Sequence, residues 1–188
     1  MYKRQVPKSA PLSLFGVGMR RKNFYIVDVD VYLVGISLAD DTLKIAKQWN
    51  SNGGGKSLVD SIFDSYHLLS SKPSKVTLSA TLRFCRGATT AQFLNAFEDA
   101  FKGCDQVAVE DFKTVFSELI TAGIKEKDEF VFYWLDNGDV VVSMNGQIGN
   151  VLPHKELNKR LLEVYIDPKR TVSPELLHSL EHNIQLAS

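Results

Sequence analysis

The chain has 188 residues, and its 22 lysines and arginines equal in number its 22 aspartates and glutamates. This balance lacks the basic excess that attracts phosphates, so it argues against binding to nucleic acids or to anionic membranes. Hydrophobic residues make up 44% of the chain, enough for a folded domain with a core and too many for a disordered protein.

The cysteine count and the positions of charged residues bear on the compartment and on the domain organisation. Two cysteines are too few for a disulfide framework, which favours a reducing compartment. The most apolar stretch, 24–39, contains Asp28 and Asp30 and is therefore not predicted to span a bilayer. We interpret 1–11 as a flexible N-terminal segment without a clear transit peptide and 12–188 as one domain, and we expect a soluble intracellular monomer.

The first half of the chain predicts two strands separated by a pair of helices. The run from Phe24 to Leu38 is rich in β-branched and aromatic residues without helical spacing, which is typical of a strand. Apolar residues three and four positions apart then predict two short helices on either side of a glycine-rich loop at 51–55. Alternating apolar and polar residues from Val76 to Cys85 predict a second strand with one buried face.

The second half predicts helices in pairs around a hairpin. A helix opened by Thr89 or Thr90 is expected to extend to Phe101, and a second helix follows it before Gly123. Asn137-Gly138 between two apolar runs predicts a hairpin with a type I′ turn, and two further helices close the chain. Strands in adjacent groups, without regular strand–helix alternation, indicate an α+β fold whose antiparallel sheet is covered by helices on one face.

Motif searches exclude several common sites. The stretch 52–57 lacks the first glycine of a P-loop, and Gly16-Val17-Gly18 lacks the last glycine of a dinucleotide-binding loop. His178 and His182 lie four residues apart, but no third metal ligand follows them at a typical spacing. We therefore predict no metal and no cofactor, and spacing alone assigns no chemistry.

Stretches distributed over nearly the whole chain form a more specific pattern. They are Leu14–Arg20, Val29–Leu38, Trp49, Leu82–Arg86, Phe130–Leu135, Leu162–Ile166 and Val172–Leu176. Together they resemble the chalcone isomerase fold family. The resemblance implies an open-faced β-sandwich, a large antiparallel sheet covered by a helical layer. The family comprises chalcone isomerases, which form a flavanone from a chalcone, non-catalytic chalcone isomerase-like proteins, and plastid fatty-acid-binding proteins.

The resemblance implies a polar ligand site on the first strands. The family's shared arginine, which meets a substrate oxyanion or a fatty-acid carboxylate, corresponds to Arg20. A cleft position that is threonine in the isomerases and tyrosine in the fatty-acid-binding branch corresponds to Tyr32. For both to reach one ligand the chain must turn back between them, and the polar run 21–23 is the expected turn. From residue types alone, Arg20 has a second reading as a surface ion pair with Asp28 or Asp30.

Other family positions bear on catalysis. The tyrosine, lysine and asparagine of the isomerases correspond to Thr90, Phe93 and Phe97, and their late serine or threonine corresponds to Val164. Two phenyl rings in place of polar groups argue against catalysis, and together with Leu94 they suggest apolar walls.

We therefore predict non-catalytic binding of a fatty acid or similar amphipathic carboxylate in an apolar cleft. The residues predicted to line this site are Arg20, Tyr32, Thr90, Phe93, Leu94 and Phe97. Two other functions stay open: a chalcone isomerase, in which Arg20 and Tyr32 would be catalytic, and an interaction module that assists flavonoid enzymes without binding a ligand. The family resemblance suggests the plastid stroma as a compartment.

Overall fold

A computed structural model describes residues 11–24, 27–51, 56–66 and 75–187, which form a six-stranded antiparallel sheet and six helices. The strands are β1 (Leu12–Phe24), β2 (Val27–Ala39), β3 (Val76–Phe84), β4 (Glu129–Leu135), β5 (Val140–Met144) and β6 (Gln147–Leu152). The helices are α1 (Asp40–Ser51), α2 (Leu58–Asp64), α3 (Thr90–Asn95), α4 (Gln106–Leu119), α5 (Lys155–Ile166) and α6 (Pro174–Leu186). Within these ranges no helix is long and apolar enough to cross a membrane. The predicted α+β fold is confirmed; residues 1–10 and most of the glycine-rich loop lie outside the described residues.

The strands follow one another across the sheet in chain order, and one face of the sheet carries the core. Alternate residues of β2 from Tyr32 to Leu38 are buried and pair in register with buried residues of β3. In the next pair, Leu82 of β3 lies opposite Phe130 of β4, and neither is exposed. Helices cover this face, and the indole N–H of Trp134 donates to the Asn158 carbonyl of α5 at 3.0 Å.

The first two strands form a long hairpin that the sequence analysis located only in part. Phe24 belongs to β1 rather than to β2, and the polar run 21–23 continues the strand instead of turning. Its residues pair with Asp30, Val29 and Asp28 in an exposed part of the hairpin. Charged side chains do not interrupt a strand whose side chains point into water, which is why composition misplaced the turn.

The later elements match their predictions except in two details. Helix α3 ends at Asn95, and residues 96–103 continue as turns, although Phe101 is buried as expected. In the loop between β4 and β5 only Gly138 has a positive φ, of 84°, so the predicted type I′ turn is wrong there. The Asn137 side chain instead accepts the Asp139 N–H at 3.1 Å, which stabilises a longer loop.

Helix α6 packs directly on β1 because two glycines leave room for it. A methyl group added at Gly18 would lie 2.4 Å from the backbone nitrogen of Leu176, and one at Gly16 would lie 3.0 Å from Cβ of Leu180. Real Cβ atoms do not approach a backbone atom as closely as 2.4 Å. The two glycines therefore set the distance between strand and helix.

The same contact protects the free edge of β1, which is an outer strand of the sheet. Three polar residues spaced four apart on α6 pair with its unpaired backbone groups. Ser179 accepts the Val17 N–H at 3.2 Å, Asn183 donates to the Phe15 carbonyl at 2.7 Å, and Glu175 accepts a backbone hydrogen bond from Met19. An exposed strand edge invites pairing with another chain, and these side chains occupy its backbone groups.

Replacing Gly18 with alanine is expected to destabilise the protein by about 1–3 kcal/mol, because helix and strand must separate to admit the methyl group. Urea unfolding measures the loss. Gly35→Ala is the control: its added methyl group would meet only the end of the exposed Leu14 side chain, at 3.2 Å, which can rotate away. Equal stabilities of the two variants would contradict the close-approach argument.

Candidate functional site

The hairpin brings the two predicted head-group residues together. Arg20 of β1 and Tyr32 of β2 are direct partners in the antiparallel register. Directly paired residues project from the same face of a sheet, here the face that carries the core. A register shift follows immediately, between Arg20 and Arg21. The geometry therefore allows one ligand to contact both side chains.

Arg20 is half-buried, and none of the residues that the structure describes is a counter-ion to its guanidinium group. In the described part of the chain no hydrogen bond or ion pair involves this group. The ion pair considered for Arg20 is formed by its neighbour instead: Arg21 contacts Asp30 at 3.0 Å and Glu175 at 2.5 Å. Asp28 accepts from the Asn23 amide at 2.9 Å. The surface ion-pair reading of Arg20 is therefore wrong.

Tyr32 lies beside this cation and is 8% exposed. Burial raises the pKa of Tyr32 to about 12, and the positive charge of Arg20 partly opposes that rise by favouring the phenolate. Tyr32 is thus a neutral phenol at physiological pH, able to donate one hydrogen bond.

A second tyrosine, which the sequence analysis did not nominate, completes this group. Tyr165 of α5 is fully buried, and its hydroxyl lies close enough to that of Tyr32 for the two groups to shift each other's pKa, although the pair does not reach normal hydrogen-bonding geometry. Burial raises the pKa of Tyr165 well above its ordinary value, and Arg20 again lowers it in part. Yet no atom of the described chain lies in hydrogen-bonding position to the Tyr165 hydroxyl.

The backbone around Tyr165 is firmly held. The Thr171 hydroxyl donates to the Tyr165 carbonyl at 2.8 Å, and the Val172 N–H donates to the Val164 carbonyl at 2.9 Å. Two sequence signals pointed to Tyr165: its place in the stretch Leu162–Ile166 that carries the family resemblance, and a polar tip among the apolar residues on the inward side of a helix. Helical spacing assigns such a residue to the core and says nothing about its hydroxyl group.

The residues predicted as apolar walls lie further along the core. The ring centroid of Phe84 lies 5.4 Å from that of Tyr32 and 6.1 Å from that of Phe93. The ring centroids of Phe93 and Phe97 are 5.3 Å apart, and both side chains are almost completely buried. Phe84 therefore connects the tyrosine of the head-group site to the predicted walls.

The remaining predicted residues border this aromatic region. Leu94 is half-buried against the core, and the Thr90 hydroxyl donates to the Ile120 carbonyl at 3.4 Å. Val164, which the family resemblance matches to the late serine or threonine of the isomerases, is buried. Among the residues that the structure describes, no group of three or more histidines, cysteines or acids is placed to hold a metal ion.

Comparisons with known proteins place this arrangement in context. No protein-family model matches the chain. A relative from Humulus lupulus named chalcone isomerase-like protein 2 is 24% identical over 196 residues, covering 96% of this chain and 90% of the relative. A crystal structure of an Arabidopsis thaliana fatty-acid binding protein superposes with a TM-score of 0.71 at 16% identity, covering 96% of this chain and 93% of that one.

The chain has the chalcone isomerase-like fold. The suspected resemblance is confirmed by a relative and a solved structure that each cover nearly the whole chain. In this protein the open antiparallel sheet and its helical layer place Arg20, Tyr32 and Tyr165 on one side of the sheet.

Burial of Tyr32 predicts alkaline destabilisation. Its pKa rises from 10.0 to about 12 on folding, so above pH 10 the unfolded chain releases this proton first. The free energy of unfolding should therefore be unaffected by this group below pH 10 and should fall as the pH rises towards 12. Urea unfolding as a function of pH measures the slope. Tyr32→Phe should show a shallower fall, and an unchanged slope would contradict burial of the phenol.

Proposed function

We propose that this protein binds a fatty acid or similar amphipathic carboxylate without catalysing a reaction, with Arg20 and Tyr32 at the head group. The observation that carries the proposal is a half-buried guanidinium group that no described residue neutralises, paired in register with a buried phenol. A guanidinium fork suits the planar geometry of a carboxylate, and the phenol adds one donor. An anionic ligand would supply the missing counter-ion.

The surroundings favour a ligand with a long apolar tail. From Tyr32 an uninterrupted series of aromatic rings leads through Phe84 to Phe93 and Phe97. Each buried methylene contributes about 0.8 kcal/mol, so a long tail would outweigh the head-group contact of about 1.5–3 kcal/mol. Because these rings already pack against one another, a tail in contact with them must displace neighbouring side chains.

The same rings argue against an isomerase. Phe93 and Phe97 occupy positions that carry polar groups in the catalytic members of the family, and both belong to the buried aromatic core. Neither ring can position water or polarise a ketone. The name of the Arabidopsis neighbour, a fatty-acid binding protein, supports a binding role.

Arg20→Gln is expected to weaken fatty-acid binding by roughly 10- to 100-fold, because it removes a charge-assisted contact. Isothermal titration with tetradecanoate measures the dissociation constant. The matched control is Arg21→Gln, which removes the same charge one residue later, where it already has two acidic partners. Equal affinities of wild type and Arg20→Gln would overturn the head-group assignment.

Native mass spectrometry of protein purified from cells tests the proposal without choosing a ligand. A stoichiometric fatty acid that is lost in Arg20→Gln is the expected result. An empty protein that also fails to bind added fatty acids would overturn the proposed function.

One observation favours chalcone isomerase activity as a second candidate. An unpaired guanidinium group can stabilise the negative charge that develops on an oxyanion during ring closure. Loss of the chalcone's visible absorbance measures this reaction. A rate above spontaneous cyclisation that disappears in Arg20→Gln would establish the enzyme; we expect only the spontaneous rate.

A further inference from the structure

Two buried side-chain atoms in the described part of the chain lack a hydrogen-bond partner, Asn158 Oδ1 and the Tyr165 hydroxyl. They differ in what surrounds them. The Asn158 amide nitrogen donates to the Leu152 and Gly138 carbonyls at 2.8 and 3.0 Å, so that side chain has a structural use. For Tyr165 the hydroxyl is the only polar group of the side chain. A phenylalanine would pack in nearly the same space without leaving a buried donor unsatisfied.

The position of the Tyr165 hydroxyl indicates a role in ligand binding. This buried hydroxyl lies beside that of Tyr32 without reaching hydrogen-bonding geometry, and Tyr32 is the register partner of Arg20, so donor groups from β1, β2 and α5 lie near one another. Hydrogen bonds hold the backbone of Tyr165, and its fully buried ring packs against Phe132, so the hydroxyl oxygen is in place before any ligand arrives. Preorganised donors bind an acceptor without a further ordering cost.

We propose that the Tyr165 hydroxyl is the third donor of the head-group site and makes the site select an ionised carboxylate over an alcohol or ester of the same chain length. This inference rests on the proposed function and adds to it a third donor and the selectivity that this donor gives. It also identifies Tyr165 as a specificity residue.

The selectivity follows from the numbers of donors and acceptors. A carboxylate has two oxygens that accept several hydrogen bonds, so it can satisfy a guanidinium group and two phenols together. An alcohol offers one oxygen, and an ester offers one good acceptor without charge. With either of these, at least one buried donor stays unpaired. A site whose buried donors need hydrogen-bond acceptors binds weakly any ligand that cannot supply enough acceptors.

The test compares tetradecanoate, tetradecanol and methyl tetradecanoate by isothermal titration with wild type and Tyr165→Phe. We expect Tyr165→Phe to bind tetradecanoate about tenfold more weakly and the two uncharged probes within about twofold of wild type. The preference for the acid over the alcohol should therefore fall about tenfold. An unchanged preference, or equal losses for all three probes, would overturn the role of Tyr165.

Tyr66→Phe is the matched control. Tyr66 is also buried, but its hydroxyl is paired with that of Thr77 at 2.8 Å, away from Arg20. This variant should have a lower thermal midpoint and unchanged ligand preference, whereas ligand-free Tyr165→Phe should be at least as stable as wild type. A lower midpoint for Tyr165→Phe would show that the hydroxyl has a structural partner and would overturn the inference.

The measurements distinguish failure of this inference from failure of the proposed function. If wild type binds tetradecanoate and Arg20→Gln weakens this binding while Tyr165→Phe does not, only the inference about Tyr165 fails. If wild type binds none of the three probes, the proposed function fails and the inference fails with it.

Discussion

Helix α6 lies so close to β1 that position 18 has no room for a methyl group, and a methyl group at position 16 would crowd Leu180. This contact aligns the polar side of the helix with the free edge of the strand, so that backbone groups there find partners without a seventh strand. It also fixes where the helix begins. Ser173, its N-cap, lies beside Gly18, and the next residue on that face, Arg20, is only half-buried. The position of the head-group site thus depends on the glycine contact.

Two adjacent arginines at this point have different environments. Arg21 is exposed and has two acidic partners, whereas Arg20 lies on the core side and has none among the described residues. Successive side chains of a strand point in opposite directions, so one residue can be neutralised at the surface while its neighbour faces the interior. A half-buried cation and a buried, unsatisfied phenol both cost free energy in the empty protein. A ligand with negatively charged oxygens would recover that cost, which links the local instability to the proposed binding role.

The aromatic core determines what lies behind this polar group. Phe84 contacts Tyr32 on one side and Phe93 on the other, and Phe93 in turn stacks on Phe130 with ring centroids 5.1 Å apart. The sheet and helix α3 therefore share one apolar layer that begins directly at the head-group residues. Polar groups at positions 93 and 97 would be buried among these rings, where they would require partners of their own. The proposed non-catalytic role therefore rests on the same packing that forms the core.

The sequence by itself determined the fold class, most helices and strands, and the pairing of a cation with a tyrosine as the candidate site. It could do so because hydrophobic periodicity, capping residues such as Ser173 and short family motifs are local properties of the chain. Only the tertiary structure decided where the first hairpin turns, which arginine is neutralised, and that Tyr165 lies beside Tyr32. Each depends on contacts between residues distant in sequence: Arg21 with Glu175, Gly18 with Leu176, and Tyr165 with Tyr32. Local sequence patterns do not reveal such contacts, because the partners are brought together only when α5 and α6 pack on the sheet.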